Sequence, residues 1–149
     1  MKQMLLVVLL LGISTLQCRQ AAVTPDPIIT RLVGTWQLTG AGSDSTAGST
    51  LIFSLDTANP PHDITSFDVR GKGPVRTFTG RMYATVDGTM QINELRTMTE
   101  IGPAPLLTTD ARYQLNLGSV ARFSQPADNQ LQLHFGSPTA GTLLYKRLP

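Results

Sequence analysis

The sequence predicts a mainly β domain, an antiparallel curved sheet or open barrel of about seven to eight strands with one short helix near residues 108–117. Three observations lead to this class. Short runs rich in β-branched and aromatic residues recur at regular intervals, turn-forming Gly, Pro, Asn and Asp separate them, and one amphipathic segment comes late in the chain. The 149 residues contain a single cysteine, so no intrachain disulfide can form and packing must stabilise the domain.

The first eighteen residues predict where the protein is located. Lys2 precedes an apolar run over residues 4–13, which is too short to cross about 30 Å of hydrocarbon as a helix. A run of this length fits the core of a secretory signal, typically about 7–15 residues. Cys18 follows closely, and its placement resembles a bacterial lipoprotein signal. The resemblance implies a signal peptide over residues 1–17 and a lipidated Cys18 that anchors the domain to a membrane of the cell envelope. The alternatives are an ordinary signal that discards Cys18 and a free thiol.

The segment after the signal is interpreted as a tether. Residues 18–30 contain the lipidated cysteine and two prolines, which make a regular helix or strand unfavourable. We expect the folded domain to occupy residues 31–149 as one unit. Its opening strand, residues 34–38, carries the only tryptophan, Trp36, whose large apolar body should plug the core.

Alternation of apolar and polar residues defines the next strands. Residues 50–55 are rich in β-branched and aromatic side chains, and residues 64–70 alternate so that every second side chain faces inward. The segments on either side contain Gly, Ser, Pro and Asn and predict loops. The predicted core consists of large side chains from successive strands: Trp36, Phe53, Phe67, Tyr83, Leu133 and Phe135.

A hairpin is predicted around Asp87-Gly88. An Asp-Gly pair between two alternating runs is a strong hairpin signal, because a type I′ turn needs positive φ at both central residues. The strand before the turn should place Met82, Ala84 and Val86 on one face, and the strand over residues 89–95 follows directly.

A short helix is predicted next. Thr108 or Thr109 would cap its first turn, Asp110 would stabilise the positive end of the helix dipole, and Gly118 would follow the last turn. Its apolar stripe would consist of Ala111, Leu115, Tyr113 and Leu117. Three strands should then complete the sheet, over residues 119–125, 130–135 and 142–148.

The order of these features resembles the META domain family, also called HslJ-like. The resemblance is carried by residues 34–38, 78–83 before Asp87-Gly88, 92–95, Thr97-Met98 before Gly102-Pro103, Tyr113, 131–133 and 143–147. It spans most of residues 31–148 and implies a small, often envelope-anchored domain that is frequently associated with stress tolerance and has no established enzymatic activity. Where the family often has cysteines, this chain has Val75-Arg76 and Ile101-Gly102. Any function tied to those cysteines is therefore not expected.

The residues show no recognisable catalytic or metal-binding constellation. His62 lies in a proline-rich segment and His134 on the outward face of a strand, whereas zinc needs three or four converging ligands. No serine stands in a Gly-x-Ser-x-Gly elbow. Glu100 and Asp110 would be the carboxylate pair for acid–base chemistry, although a helix start explains Asp110 more simply. We expect no enzymatic activity, no metal and no cofactor.

Charge indicates no nucleic-acid partner. Loss of Lys2 with the signal lowers the formal net charge from +2 to +1. Arg70, Lys72, Arg76 and Arg81 cluster in sequence, but no aromatic platform is interleaved with them, so a solvated strand face is the preferred interpretation. An enzyme would gain support if Arg76, Arg81 and Glu100 gathered around a bound anion.

Two functions remain open at this point. The first is a non-enzymatic module at the cell envelope that binds an unknown envelope protein or small ligand, with the link to stress tolerance that the family resemblance implies. The second follows from Gly34-x-Trp36, a pattern that also occurs at the opening of lipocalin barrels. In those barrels the tryptophan closes one end of a ligand cavity, so the rival is a carrier of a small apolar ligand.

Overall fold

The structure is a computed structural model that describes residues 26–41, 48–59, 63–98, 100–136 and 139–149. The signal, Cys18 and His62 lie outside these residues, so the predictions for them are not tested by the fold. Within the described ranges the elements in chain order are α1 Pro27–Thr30, β1 Gly34–Ala41, β2 Thr50–Leu55, β3 Thr65–Lys72, β4 Thr77–Ala84, β5 Met90–Thr97, α2 Ala104–Gly118, β6 Val120–Ala127, β7 Gln130–Phe135 and β8 Gly141–Arg147.

The strands form one antiparallel sheet that curls into a half-barrel. Their order is β5-β4-β3-β2-β1-β8-β7-β6, so the first and last strands of the chain pair in the middle and β5 and β6 form the edges. The edges meet at one point, where Thr89 bridges Arg122 and the Phe123 N–H donates to the Gly88 carbonyl at 2.8 Å. Helix α2 packs against β5 and β7. The predicted fold class is therefore confirmed.

The core contains most of the predicted side chains. Trp36, Phe53, Phe67 and Leu133 are at most 1% exposed, and Phe135 is half-buried against them. Tyr83 is a wrong prediction, because it is half-buried and lies outside the core cluster. Its neighbours along β4, Met82 and Ala84, are the inward residues, and alternation turns the side chain between them to the other face.

The β4–β5 hairpin forms where it was predicted, but its first strand is shorter. Strand β4 ends at Ala84, and a turn over residues 85–89 leads into β5. Val86 therefore belongs to the turn and is 55% exposed, which corrects its placement on the buried face. Gly88 has a φ of 84°, but Asp87 has no positive φ, so the predicted type I′ turn is wrong. The Thr85 N–H donates to the Thr89 carbonyl at 3.0 Å and closes a three-residue loop over residues 86–88, in which only Gly88 adopts positive φ.

Residues 26–30 already belong to the fold. Asp26 accepts the Ile28 N–H on its Oδ1 at 2.8 Å, and Pro27 occupies the first turn of α1, where a missing N–H costs nothing. Ile29 is 2% exposed and packs in the core. Residues 27–30, interpreted above as the end of the tether, therefore form a capped helical turn.

Helix α2 is longer than predicted and begins differently. It starts after Pro103, with no side-chain cap, and Pro105 fits its first turn for the same reason as in α1. The hydroxyls of Thr108 and Thr109 donate to carbonyls four residues back, so neither residue caps the helix. The buried face consists of Asp110, Tyr113 and Leu117, whereas the predicted stripe residues Ala111 and Leu115 are exposed.

Candidate functional site

A buried carboxylate fastens α2 to the turn between β3 and β4. Asp110 is fully buried, and its Oδ1 accepts the N–H groups of Val75 and Arg76, both at 3.1 Å. The Arg76 Nε–H donates to Oδ2 at 2.6 Å. The carboxylate therefore has three donors and a compensating charge, which is what burial of an ionised group requires.

This contact explains the glycine at position 73. A Cβ built on Gly73 would lie 2.3 Å from Asp110 Oδ1 and 3.3 Å from the Tyr113 ring. Only a residue without a side chain lets the turn come this close to α2. Asp110 thus joins α2 to a turn residue 34 positions earlier in the chain. The predicted role of Asp110 at the positive end of the helix dipole is wrong, because Asp110 lies beyond the first turn of α2.

Two tyrosines form a polar pair inside the apolar core. The hydroxyls of Tyr113 on α2 and Tyr145 on β8 lie 3.0 Å apart, and both residues are 2% exposed. The Tyr113 ring also packs against Phe78, with ring centroids 6.0 Å apart. Burial raises the pKa of both hydroxyls, so both stay neutral at physiological pH. The pair fixes the position of α2 over the sheet and offers no reactive phenolate.

One end of the half-barrel is closed by Trp36 and Arg147. The Arg147 guanidinium carbon lies 4.4 Å from the Trp36 ring centroid, within the range of a cation–π contact. Its Nη1 donates to the Val33 carbonyl at 2.8 Å and its Nη2 to the Arg31 carbonyl. The indole N–H of Trp36 donates to the Leu32 carbonyl at 2.8 Å. The segment between α1 and β1 is therefore held against the closed end by side chains from both middle strands.

His134 bridges three strands on the outer face of the sheet. Its Nε2 lies 3.0 Å from Ser124 Oγ on β6, and its Nδ1 lies 3.0 Å from Thr142 Oγ1 on β8. Both ring nitrogens are occupied by hydroxyls, and Ser124 also donates to Gln132 Oε1 at 3.3 Å. No carboxylate orients the ring among these contacts, so the geometry is that of a cross-strand polar row rather than a nucleophile with its base.

The residues that an enzyme would need are not brought together. Arg76 pairs with Asp110, whereas Arg81 pairs with Asp56, whose Oδ2 also accepts from the Asn59 side chain at 2.7 Å. Glu100 is exposed, and no ion pair joins it to either arginine in the described part of the chain. Each arginine therefore has its own structural partner.

The inner face of the sheet is occupied by its own side chains, and grooves lie on the outer face. Trp36, Phe53, Phe67, Phe78 and Tyr113 are among the large residues that fill the concave side. A polar groove of about 380 Å³ crosses β1, β8 and β7 on the outer face, with lining side chains that include Thr39, Gln130, Gln132, Leu144 and Lys146.

The described residues contain neither a metal site nor a helix that could span a membrane. No group of three or more His, Cys, Asp or Glu side chains is placed to hold a metal ion there. None of the helices in the described ranges has the length and apolar character needed to cross a bilayer.

The geometry defines a small half-barrel with a packed inner face, a helix fastened across it and a closed end. No family model and no curated protein matches the chain. A solved structure with a similar fold is described as the NMR structure of a protein from Burkholderia xenovorans. It is 22% identical with a TM-score of 0.56, and the match covers 86% of this chain and 94% of that chain. At this identity the likeness bears on the fold alone.

Proposed function

We propose that this protein is a non-enzymatic binding or interaction module of the cell envelope, held at a membrane by a lipid on Cys18. The observation that carries the proposal is that three buried polar side chains, Asp110, Tyr113 and Tyr145, have their hydrogen-bond partners inside the fold. Asp110 is satisfied by Arg76 and two backbone N–H groups, and the buried tyrosine hydroxyls bond to each other. The reactive groups of an enzyme are accessible to substrate, whereas these buried side chains bond to other protein groups. We therefore expect binding to take place on the outer surface.

The anchor is argued from the sequence. The apolar run of residues 4–13 and the single cysteine behind it fit an exported chain whose Cys18 is acylated. Each buried CH₂ of an acyl chain contributes about 0.8 kcal/mol, and stable anchoring needs a second membrane signal beside one chain, such as another acyl chain on the same cysteine. Eight residues separate Cys18 from Pro27, the first residue of α1, which leaves the domain close to the bilayer surface.

One contact supports the resemblance to the META domain family. The family's two cysteine positions correspond here to Val75 and to Ile101-Gly102. A Cβ built on Gly102 would lie 2.9 Å from Val75 Cγ1, so these two regions are in contact across the β3–β4 turn. In a family that often has a cysteine at both of these positions, we expect the two positions to lie next to each other. The contact therefore supports the resemblance.

Membrane retention tests the proposal. In cells fed a labelled fatty acid, the wild-type chain should carry the label and sediment with membranes. The Cys18→Ala variant should lose the label and most of its membrane retention. Tyr83→Phe, which alters a half-buried residue outside the core cluster, serves as the control and should behave like wild type. Equal retention of the Cys18→Ala variant would contradict the lipid anchor.

The rival function is a carrier of a small apolar ligand, and one observation favours it. Trp36 closes one end of a curled sheet whose first and last strands pair, which is the place of the tryptophan in lipocalin barrels. A carrier also needs an empty interior, and here Tyr113 and Leu117 from α2 add to the packed core. Native mass spectrometry of protein purified without detergent would support the carrier by a bound apolar molecule, and a ligand-free mass would count against it.

A further inference from the structure

Two rows of side chains on the outer face of β2, β3, β4 and β5 contain cations and no carboxylate. The strand register aligns the first row, Ile52–Arg70–Thr79–Arg96. The second row is Thr50–Lys72–Thr77–Met98. The strand register aligns its first three residues, and the Met98 N–H donates to the Thr77 carbonyl at 3.0 Å, which adds Met98 to the row. We call these eight residues the cationic patch.

The three cations of the cationic patch have no partner among the described residues. Arg70, Lys72 and Arg96 are exposed, and none of them takes part in an ion pair or a side-chain hydrogen bond in this part of the chain. This distinguishes them from Arg76 and Arg81, each of which is neutralised by its own carboxylate. Neighbouring side chains across antiparallel strands lie about 5 Å apart, so Arg70 and Arg96 flank the Thr79 hydroxyl from either side.

An apolar groove lies over the same patch. Its volume is about 320 Å³, and its lining includes Ile52 and Met98 together with Arg70 and Lys72. Met98 is 65% exposed, so its thioether is available to a bound molecule. Two of the three cations, Arg70 and Lys72, line the groove themselves, which places an apolar surface directly beside a positively charged one.

The carboxylates of this sheet face lie on one side of the cationic patch. Asp68 stands in the next row opposite Arg81, and Glu94 follows on β5 at a bulge, where its φ is 55°. They line a second groove of about 330 Å³ together with Arg70, Thr79 and Arg96, so the two arginines of the patch stand between these carboxylates and the apolar groove. An anion seated between Arg70 and Arg96 is therefore repelled from the Asp68 side and directed towards Lys72 and the apolar groove.

We propose that the cationic patch binds an anionic lipid, with the phosphate of the head group between Arg70, Arg96 and the Thr79 hydroxyl and the start of an alkyl chain in the groove beside Met98. Guanidinium groups are suited to phosphate because they donate in a planar fork. The adjoining apolar surface selects a ligand that joins an anion to a hydrocarbon chain. This site is independent of the Cys18 anchor, so the two proposals can fail separately.

The test uses the full chain in a neutral detergent and titrates short-chain phosphatidylglycerol, followed by calorimetry and by the amide NMR shifts of Thr77 and Thr79. Short-chain phosphatidylcholine controls for partition into the micelle, and inorganic phosphate controls for the anion alone. The variants are Arg70→Gln, Arg96→Gln, the double variant and Met98→Ser. Lys146→Gln, which removes one exposed cation on β8, is the matched control.

Phosphatidylglycerol should bind at least tenfold more tightly than phosphatidylcholine or phosphate, and its binding should weaken with added salt. Each arginine substitution should weaken binding about fivefold, as expected for one cation beside an anionic lipid. Met98→Ser should weaken the binding of phosphatidylglycerol and leave the binding of inorganic phosphate unchanged. The Cys18→Ala chain should bind like wild type.

The lipid site would be overturned by unchanged binding in the double arginine variant when its circular dichroism matches wild type. It would equally be overturned if phosphatidylcholine or inorganic phosphate bound as tightly as phosphatidylglycerol, or if Lys146→Gln weakened binding as much as Arg70→Gln.

Discussion

At the residue scale, Asp110 is the side chain on which the attachment of α2 depends. It is fully buried and serves three donors, two of them backbone N–H groups of the β3–β4 turn. The sequence could predict that Asp110 lies in a helix, but its partners are 34 and 35 residues away and leave no local pattern. Gly73 permits the close approach of the turn to α2, but only the folded chain shows that Asp110 is the group approached.

Replacing Asp110 with Asn should lower the free energy of unfolding by about 3 kcal/mol, because Arg76 loses its carboxylate and the amide cannot accept all three bonds. Urea denaturation measures the change. Asp128→Asn removes an exposed ion pair with Arg31 at 3.5 Å and should cost less than about 0.5 kcal/mol. Similar losses in the two variants would contradict the assigned role of Asp110.

The buried tyrosine pair predicts a loss of stability at high pH. Burial raises the pKa of Tyr113 and Tyr145 above the ordinary value of 10.0, so both keep their protons in the fold and lose them in the unfolded chain. Their contribution is therefore fully present below pH 10 and falls as the pH rises above it. Urea denaturation between pH 8 and pH 11.5 should show this decline, and the Tyr113→Phe, Tyr145→Phe double variant should flatten it. An equally steep decline of the free energy of unfolding in the double variant would contradict the assignment to the tyrosine pair.

At the element scale, the hairpin and the presence of α2 were predictable, whereas α1 and the start of α2 were not. Asp87-Gly88 determines its turn locally, since Gly88 supplies the positive φ and the Asp87 carboxylate accepts from Thr85 and Thr89. Strands β2 and β7 have the predicted bounds, because alternation is also a local signal. The predicted start of α2 at Thr108 or Thr109 was too late, because proline is compatible with a first helical turn and Pro105 lies within it.

The hairpin also predicts an acid-dependent contribution from Asp87. The hydroxyl of Thr85, followed by the N–H and hydroxyl of Thr89, lowers the pKa of Asp87 to about 2. A lowered pKa stabilises the fold above the ordinary value of 3.8, and the contribution is lost as the pH falls towards 2. The difference in Tm between wild type and Asp87→Asn should therefore be largest near neutral pH, shrink below pH 3.8 and be lost as the pH falls through 2. Because other groups such as Asp56 also titrate, only this difference is diagnostic, and one that stayed constant with pH would contradict the assignment.

At the scale of the whole molecule, the fold class could be predicted from strand spacing, whereas the contact of Trp36 with Arg147 at one end of the sheet could not. Trp36 was recognisable as a core residue, but its partner Arg147 lies at the other end of the chain and no local pattern links them. The cationic patch was likewise visible only as a cluster of Arg70, Lys72, Arg76 and Arg81. Folding divides that cluster, since Arg76 and Arg81 acquire carboxylates and the patch gains Arg96 from β5.

The measurement that bears most directly on the central proposal is the intact mass of the protein isolated from the cells that make it. An anchored envelope module should begin at Cys18 and carry the added mass of acyl chains, and the Cys18→Ala variant should lack that mass. A polypeptide that begins at Met1, with residues 1–17 still attached and the chain recovered from the cytosol, would contradict the account.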